Sequence, residues 1–220
     1  ERSLFRDVHW TRQSPNGKWF ASYAKDRLVP FANFDSQHFG VHIGAIDGSW
    51  ILILAPNGEE GLAWSPDSKQ IAYSVLSGGV GRSGSGYYRS QLPSTEILTV
   101  GMDGSNMDYV LERAGVWEIN DWSPDGKKLL LWHKLTDVPS ENAITPVGEL
   151  VEYNLGQAIA SRKERLPPKM QRGDKWAATL DRFLKTIVLG TPSLAPQRAR
   201  YSPDGKHIAI VYLNSAKPGL

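Results

Sequence analysis

One hexapeptide recurs through the chain and restricts its architecture more than any other feature. It reads Trp64-Ser65-Pro66-Asp67-Ser68-Lys69, Trp122-Ser123-Pro124-Asp125-Gly126-Lys127 and Tyr201-Ser202-Pro203-Asp204-Gly205-Lys206, with a degenerate copy at Gln13-Ser14-Pro15-Asn16-Gly17-Lys18. Proline fixes φ at the second position of a type I turn, aspartate suits the third, and glycine accepts the left-handed conformation that follows. Each copy therefore predicts a hairpin. An apolar segment follows every time, at Phe20 to Tyr23, Ile71 to Val75, Leu129 to Trp132 and Ile208 to Tyr212. These segments are apolar on both faces, as expected of strands in sheets covered on both sides.

A second turn signal follows in the first three repeats, as Asp47-Gly48-Ser49, Asp103-Gly104-Ser105 and Asn154-Leu155-Gly156. Strand-like segments enter and leave the first two of these turns. The repeat unit is then a four-stranded antiparallel meander, and radial repetition of such meanders gives an all-β propeller whose blades bury their faces against one another. The reading is of one domain over residues 1–220, with about four repeats in a ring that is incomplete, because the last repeat stops after its second strand near Tyr212. A strand over Arg2 to Val8 could complete the last blade.

The repeat resembles the WD40-like, or PD40, repeat of TolB-type propellers, whose hallmark is aromatic-Ser-Pro-Asp-Gly-Lys followed by an apolar strand. Gln13, Asn16 and Ser68 depart from that pattern. The resemblance implies a non-catalytic protein-binding propeller, an accessory subunit of a larger envelope- or membrane-associated assembly, and an exported, periplasmic location. Similar repeats also form the gating propeller of prolyl-oligopeptidase-like serine peptidases, which would put a catalytic domain outside this chain. A ligand pocket in the centre has no support in the sequence beyond the general habit of propellers.

The long connections carry the candidate contact residues. In a meander the tight turns fall at one end of the blades, and the irregular stretches at 25–38, 76–94, 134–147 and 157–197 are expected together at the other. The interval from second turn to next Ser-Pro is 18, 20 and then 48 residues, so 157–197 holds an insertion. Within it Arg162, Lys163, Arg165, Lys169, Arg172 and Lys175 oppose only Glu164 and Asp174, a local net charge of +4. A helix is expected over 174–189, capped by Asp174, with Trp176, Leu180, Phe183, Leu184 and Ile187 on one face. That face either caps its own blade or docks a partner. In the glycine-rich loop Arg82, Tyr87, Tyr88 and Arg89 are interface-type residues. The candidates for partner contact are therefore Arg82, Tyr87, Tyr88, Arg89, Arg162, Lys163, Arg165, Lys169, Arg172, Trp176 and Phe183.

Other chemistry is missing or mimicked. Lys+Arg 25 against Asp+Glu 23 gives a net charge of +2, which argues against a nucleic-acid partner. With Cys 0 there is no thiolate metal site, disulfide or cysteine nucleophile. Gly79-Val80-Gly81-Arg82-Ser83-Gly84 spells a dinucleotide fingerprint, but it re-enters a strand instead of opening a helix onto a pyrophosphate. His38 and His42 lie on a strand, about 13 Å apart, too far to share an ion. His9, His133 and His207 fit structural roles, and Glu59-Glu60 fits a solvated loop. No metal, cofactor or catalytic residue is expected. No apolar run is long enough to span a bilayer. The chain opens with Glu1 and has no basic-then-apolar leader, so it is expected to be a processed form or part of a longer protein.

Overall fold

The computed structural model describes residues 6–25, 39–49, 51–55, 58–77, 81–83, 86–88, 94–134, 148–165, 181–189 and 194–214. Among the described residues three four-stranded antiparallel sheets and a two-stranded one follow one another along the chain, with a further two-stranded hairpin inserted in the second. Blade one holds β1 (Arg6–Gln13), β2 (Trp19–Lys25), β3 (Phe39–Ala45) and β4 (Ile51–Ala55). Blade two holds β5 (Gly58–Trp64), β6 (Gln70–Ser77), then the small hairpin of β7 (Gly81–Ser83) and β8 (Gly86–Tyr88), then β9 (Ser94–Gly101) and β10 (Asp108–Ala114). Blade three has β11 (Val116–Trp122), β12 (Leu129–Lys134), β13 (Gly148–Tyr153), helix α1 (Leu155–Arg165), a 3-10 turn (Asp181–Phe183) and β14 (Leu184–Leu189). β15 (Leu194–Tyr201) and β16 (Ile208–Asn214) form blade four.

Every Ser-Pro turn joins the first two strands of its blade, and one bonding scheme builds all four. The Ser123 hydroxyl accepts from the Lys128 N–H at 2.8 Å and donates to Asp125 Oδ1 at 2.6 Å, which accepts from the Lys127 N–H at 3.1 Å. Ser65 with Asp67 and Ser202 with Asp204 repeat it. Asn16 replaces aspartate without loss, accepting from the Ser14 hydroxyl at 2.7 Å and the Lys18 N–H at 3.0 Å. Serine and Asx recur because they satisfy backbone donors that the turn would otherwise leave exposed to no partner.

The left-handed residue that closes the turn is glycine in three copies and Ser68, with φ 62°, in the other. The Ser68 hydroxyl accepts the Asn16 N–H of the neighbouring blade at 3.0 Å, a bond glycine could not make. Elsewhere this residue lies beside the proline of the preceding blade, Gly126 by Pro66 and Gly205 by Pro124. The turns thus touch in sequence around one end of the molecule.

In blades two and three the second strand is central and its side chains are buried on both faces, as in Ile71 to Ser74 and Leu129 to Trp132. By contrast β16 forms the edge of the two-stranded blade four with Val211 60% exposed, so the expected cover on both faces of Ile208 to Tyr212 fails there. Three clusters fill the joints. Ala21, Val41, Ile43, Leu62, Trp64 and Tyr73 lie between blades one and two. Ala63, Ile97, Ile119, Leu129, Leu131 and Tyr153 lie between two and three. Leu130, Leu150 and Ala199, with Ile208 and Ile210, join blade four to blade three. Among the described residues the ring is not closed. Of the strand expected over Arg2 to Val8 to complete blade four, Arg6 to Val8 belong to β1 and pair with β2 inside blade one instead, while residues 2–5 lie outside the described residues.

Two further expectations fail. The described helix spans Leu155–Arg165, and the 181–189 part of the helix expected over 174–189 is a 3-10 turn and a strand, residues 174–180 lying outside the described residues. Asn154, expected in a hairpin turn, caps this helix by accepting the Gln157 N–H at 3.0 Å, and Leu155, Ala158 and Ile159 pack at helical spacing into the blade two–three core. Part of the predicted helix is instead β14, in which Thr186-Ile187-Val188 is β-branched and pairs with β13. Its fourfold apolar spacing fits a helix, but pairing and β-branching override it.

The insertion also leaves from the opposite end to the one expected. It connects the third and fourth strands of blade three, at the Ser-Pro end, where the Gly156 N–H donates to the Lys127 carbonyl at 2.9 Å. The long connections are therefore divided between both ends.

Candidate functional site: the mouth of the central channel

The first strands β1, β5, β11 and β15 lie innermost and side by side. Cross-blade bonds fix their ends. The Trp64 indole N–H donates to the Arg12 carbonyl at 3.0 Å, tying blade two to blade one. From β11, Asn120 Oδ1 accepts the Ala199 N–H and Asp121 Oδ2 accepts the Tyr201 N–H, each at 2.9 Å, so two side chains of blade three replace a sheet edge for blade four. The Tyr201 hydroxyl donates to Glu152 Oε2 at 2.9 Å, and Lys128 holds the other oxygen of Glu152 at 2.8 Å.

These inner strands frame a cavity of about 480 Å³ at the Ser-Pro end. Four prolines, Pro15, Pro66, Pro124 and Pro203, stand around it, and Trp64 and Trp122 form part of its wall. Its charged residues are Arg12, Asp121 and Arg200. All three occupy one repeat position, immediately before the aromatic residue of the hexapeptide or its Gln13 equivalent; in blade two that position is Ala63.

Arg12 reaches across the channel, its Nη1 lying 3.9 Å from Asp121 Oδ1, with side-chain exposures of 10% and 23%. Burial, followed by repulsion from Arg200, brings the Arg12 pKa down to about 10, and Arg198 adds to the repulsion. Burial also pushes the Asp121 carboxyl up, against the stabilising Tyr201 N–H. The mouth carries two guanidinium groups, Arg12 and Arg200, against the one carboxylate of Asp121, which also holds the Tyr201 N–H of blade four.

The residues expected to contact a partner fall into separate places. Arg82, Tyr87 and Tyr88 lie on the β7–β8 hairpin, with Arg82 opposite Tyr87, at the end away from the Ser-Pro turns. Arg162, Lys163 and Arg165 are in the C-terminal turns of α1 rather than in a stretch before a helix, and they belong to the Ser-Pro end. The two groups cannot form one patch. Arg89, Lys169, Arg172 and Trp176 lie outside the described residues. Phe183 packs against the blade two–three core beside Ile159, and the Arg182 guanidinium lies 4.6 Å from its ring centre while donating to the Ser161 hydroxyl. Reasoning from the sequence missed Arg12, Asp121 and Arg200, although their common repeat position was a signal that could have found them.

His133 contacts Glu149 at 3.0 Å and stacks on Trp117 at 3.9 Å, a buttress between neighbouring strands. Among the described residues no group of three or more His, Asp or Glu side chains could hold a metal ion. No helix among them is long and apolar enough to cross a membrane.

No family model and no curated protein matches the chain. Solved structures do. TolB from Acinetobacter baumannii is 15% identical with a TM-score of 0.55, over 95% of this chain and 38% of that one. Kuenenia stuttgartiensis hydrazine synthase is 13% identical with a TM-score of 0.55, over 95% and 59%. The tricorn protease is 14% identical with a TM-score of 0.56, over 96% and 20%. The chain thus spans less than two thirds of each of these proteins. Its fold is a TolB-like β-propeller with an incomplete ring.

Proposed function

We propose that this propeller is a non-catalytic module that binds another protein at the Ser-Pro mouth of its channel, as an accessory subunit of a larger, envelope- or membrane-associated assembly. The observation that carries the reading is the convergence of one repeat position from several blades on a single cavity. There the scaffold repeats, but the residues lining the cavity differ as Arg12, Asp121 and Arg200, while the blade-two equivalent, Ala63, is buried in the joint with blade three. Variation at a fixed structural position marks a surface shaped for a partner rather than for folding. The basic turns of α1 flank the same end and extend the contact surface, while the β7–β8 hairpin offers a second surface at the other end. An exported location belongs to this proposal through the TolB likeness.

Panning a random 12-residue peptide library on the immobilised protein tests it. A binding module enriches a defined sequence motif and returns the bound peptides uncleaved by mass spectrometry. Absence of any motif would contradict the proposal. The competing reading, a regulatory propeller gating a separate hydrolase, predicts a channel that admits peptides without sequence preference.

A further inference from the structure

Among the described residues β16 pairs with β15 alone, whereas in the three complete blades the second strand also pairs antiparallel with a third. An open edge presents a row of backbone N–H and C=O groups, which proteins ordinarily guard with lysine or proline. β16 has neither: Ile208 to Asn214 is seven residues long, uncharged and free of proline.

The strand is nevertheless built to take two neighbours. Aligned on the Ser-Pro turns, Ile208-Ala209-Ile210-Val211-Tyr212 matches Ile71-Ala72-Tyr73-Ser74-Val75 of β6. On one face the match extends to packing, since Ile71 and Tyr73 fill the joint with blade one, and Ile208 and Ile210 pack on blade three. At the outer edge it fails. β6 has β9 beside it, with Val100 opposite Ile71, Leu98 opposite Tyr73 and Ile97 opposite Ser74, which is fully buried. Its counterpart Val211 is 60% exposed. Leu98 and Val100 are what the third strand adds to the joint before it. At the joint of blade four the third-strand place is not filled by any described residue, and Ile187 and Val188 of β14 stay half-buried there. The open face also carries charge, for the exposed Arg200 stands opposite Ala209, a side chain too small to screen it from a strand on the far side.

We infer that the edge of β16 is a strand-addition site, which an extended segment of a partner protein fills as the third strand of blade four, with apolar residues opposite Ile208, Ile210 and Val211 and an acidic residue opposite Ala209. Main-chain bonds to the edge supply affinity and the alternate side chains supply selectivity. A second copy fits the edge less well. Antiparallel pairing of two β16 strands about a two-fold axis would set both copies of blade three on the same side of the joined sheet, one strand spacing apart, where a four-stranded blade leaves no room for the other. The site does not depend on what the channel mouth binds.

The probe is a synthetic peptide with the sequence of β9, Ser94 to Gly101, titrated onto the whole chain by fluorescence anisotropy while amide exchange is followed by NMR. In the free chain alternate amides of 208–214 should exchange readily, because only every second residue of β16 bonds to β15; the peptide should protect them. Affinity should fall about tenfold or more for Val211→Lys, which sets a charge on the edge, and for the peptide variant Ile97→Lys, which leaves the protein untouched. The peptide variant Thr99→Glu should bind severalfold more tightly than Thr99→Lys, and equal binding of the two would overturn the acidic residue in the inference. Met107→Lys, at an exposed apolar residue of blade two, should change nothing. Thermal melting checks that Val211→Lys folds, and the peptide variants carry the test if it does not. Binding indifferent to Ile97→Lys, with no added protection at 208–214, would overturn the inference. So would protection of those amides in the free chain: in a monomer by sedimentation it would mean an edge covered from within, and in a dimer that Val211→Lys dissociates it would mean that a second copy is the occupant.

Discussion

Asp125 and Asp121 lie four residues apart at one end of blade three, and their environments are opposite. Asp125 sits in a Ser-Pro turn, where the Ser123 hydroxyl and the Lys127 N–H hold its carboxyl below the usual range. Asp121 ends the inner strand, where burial pushes its carboxyl up. The first is repeated in Asp67 and Asp204; the second is replaced by Arg12, Ala63 and Arg200. A position filled in every blade by aspartate or, once, by its amide Asn16, in a low-energy hydrogen-bonded setting, belongs to the scaffold. One that changes from blade to blade, at an electrostatic cost, belongs to what the scaffold presents.

If this division holds, stability should reside in the joints and the turns, not in the mouth. The largest effect is expected in the joint between blades two and three, where Leu131 is fully buried. Leu131→Ala should cost about 3 kcal/mol in urea denaturation. Ser123→Ala strips the Lys128 N–H of its acceptor and should cost about 1 kcal/mol. Gly126→Ala forces an L side chain to φ 74°, with a penalty of about 1 kcal/mol. Arg200→Gln, by contrast, should stay within about 0.5 kcal/mol of the parent. Arg200→Gln destabilising as much as Ser123→Ala would break the comparison.

The turn carboxylates give a pH test of the same division. The pKa values of Asp67, Asp125 and Asp204 are lowered by folding, first of all by the serine hydroxyl in each case. Their contribution to stability is present above the ordinary carboxylate range and is lost as pH falls through the depressed folded values. Urea midpoints should therefore drop below about pH 4. Asp125→Asn with Asp204→Asn should flatten that drop, since Asn16 shows that asparagine keeps the turn geometry without titrating.

What was legible in the sequence follows the same line. Ser-Pro-Asp-Gly announces its hairpins because proline, glycine and the serine–aspartate pair act within six residues. Strands such as Leu129 to Trp132 are legible because both faces are apolar. Asn154-Leu155-Gly156 misled, since asparagine caps a helix as readily as it enters a turn, and only the packing of Leu155, Ala158 and Ile159 decides. The strand Leu184–Leu189 was hidden by an apolar spacing of three and four, which pairing with β13 overrode. The mouth could not be read locally, because Arg12 and Asp121 are separated by two blades of sequence and meet only when the inner strands converge.

The most direct test of the central claim is a hydrogen-exchange difference map of the chain with and without a peptide selected by panning. The account predicts added protection at the inner-strand ends, around Thr11 to Gln13, Trp64, Asp121 to Trp122 and Arg200 to Tyr201, with the turn cores unchanged. Protection confined to the β7–β8 hairpin at 81–88, with none at those strand ends, would contradict it.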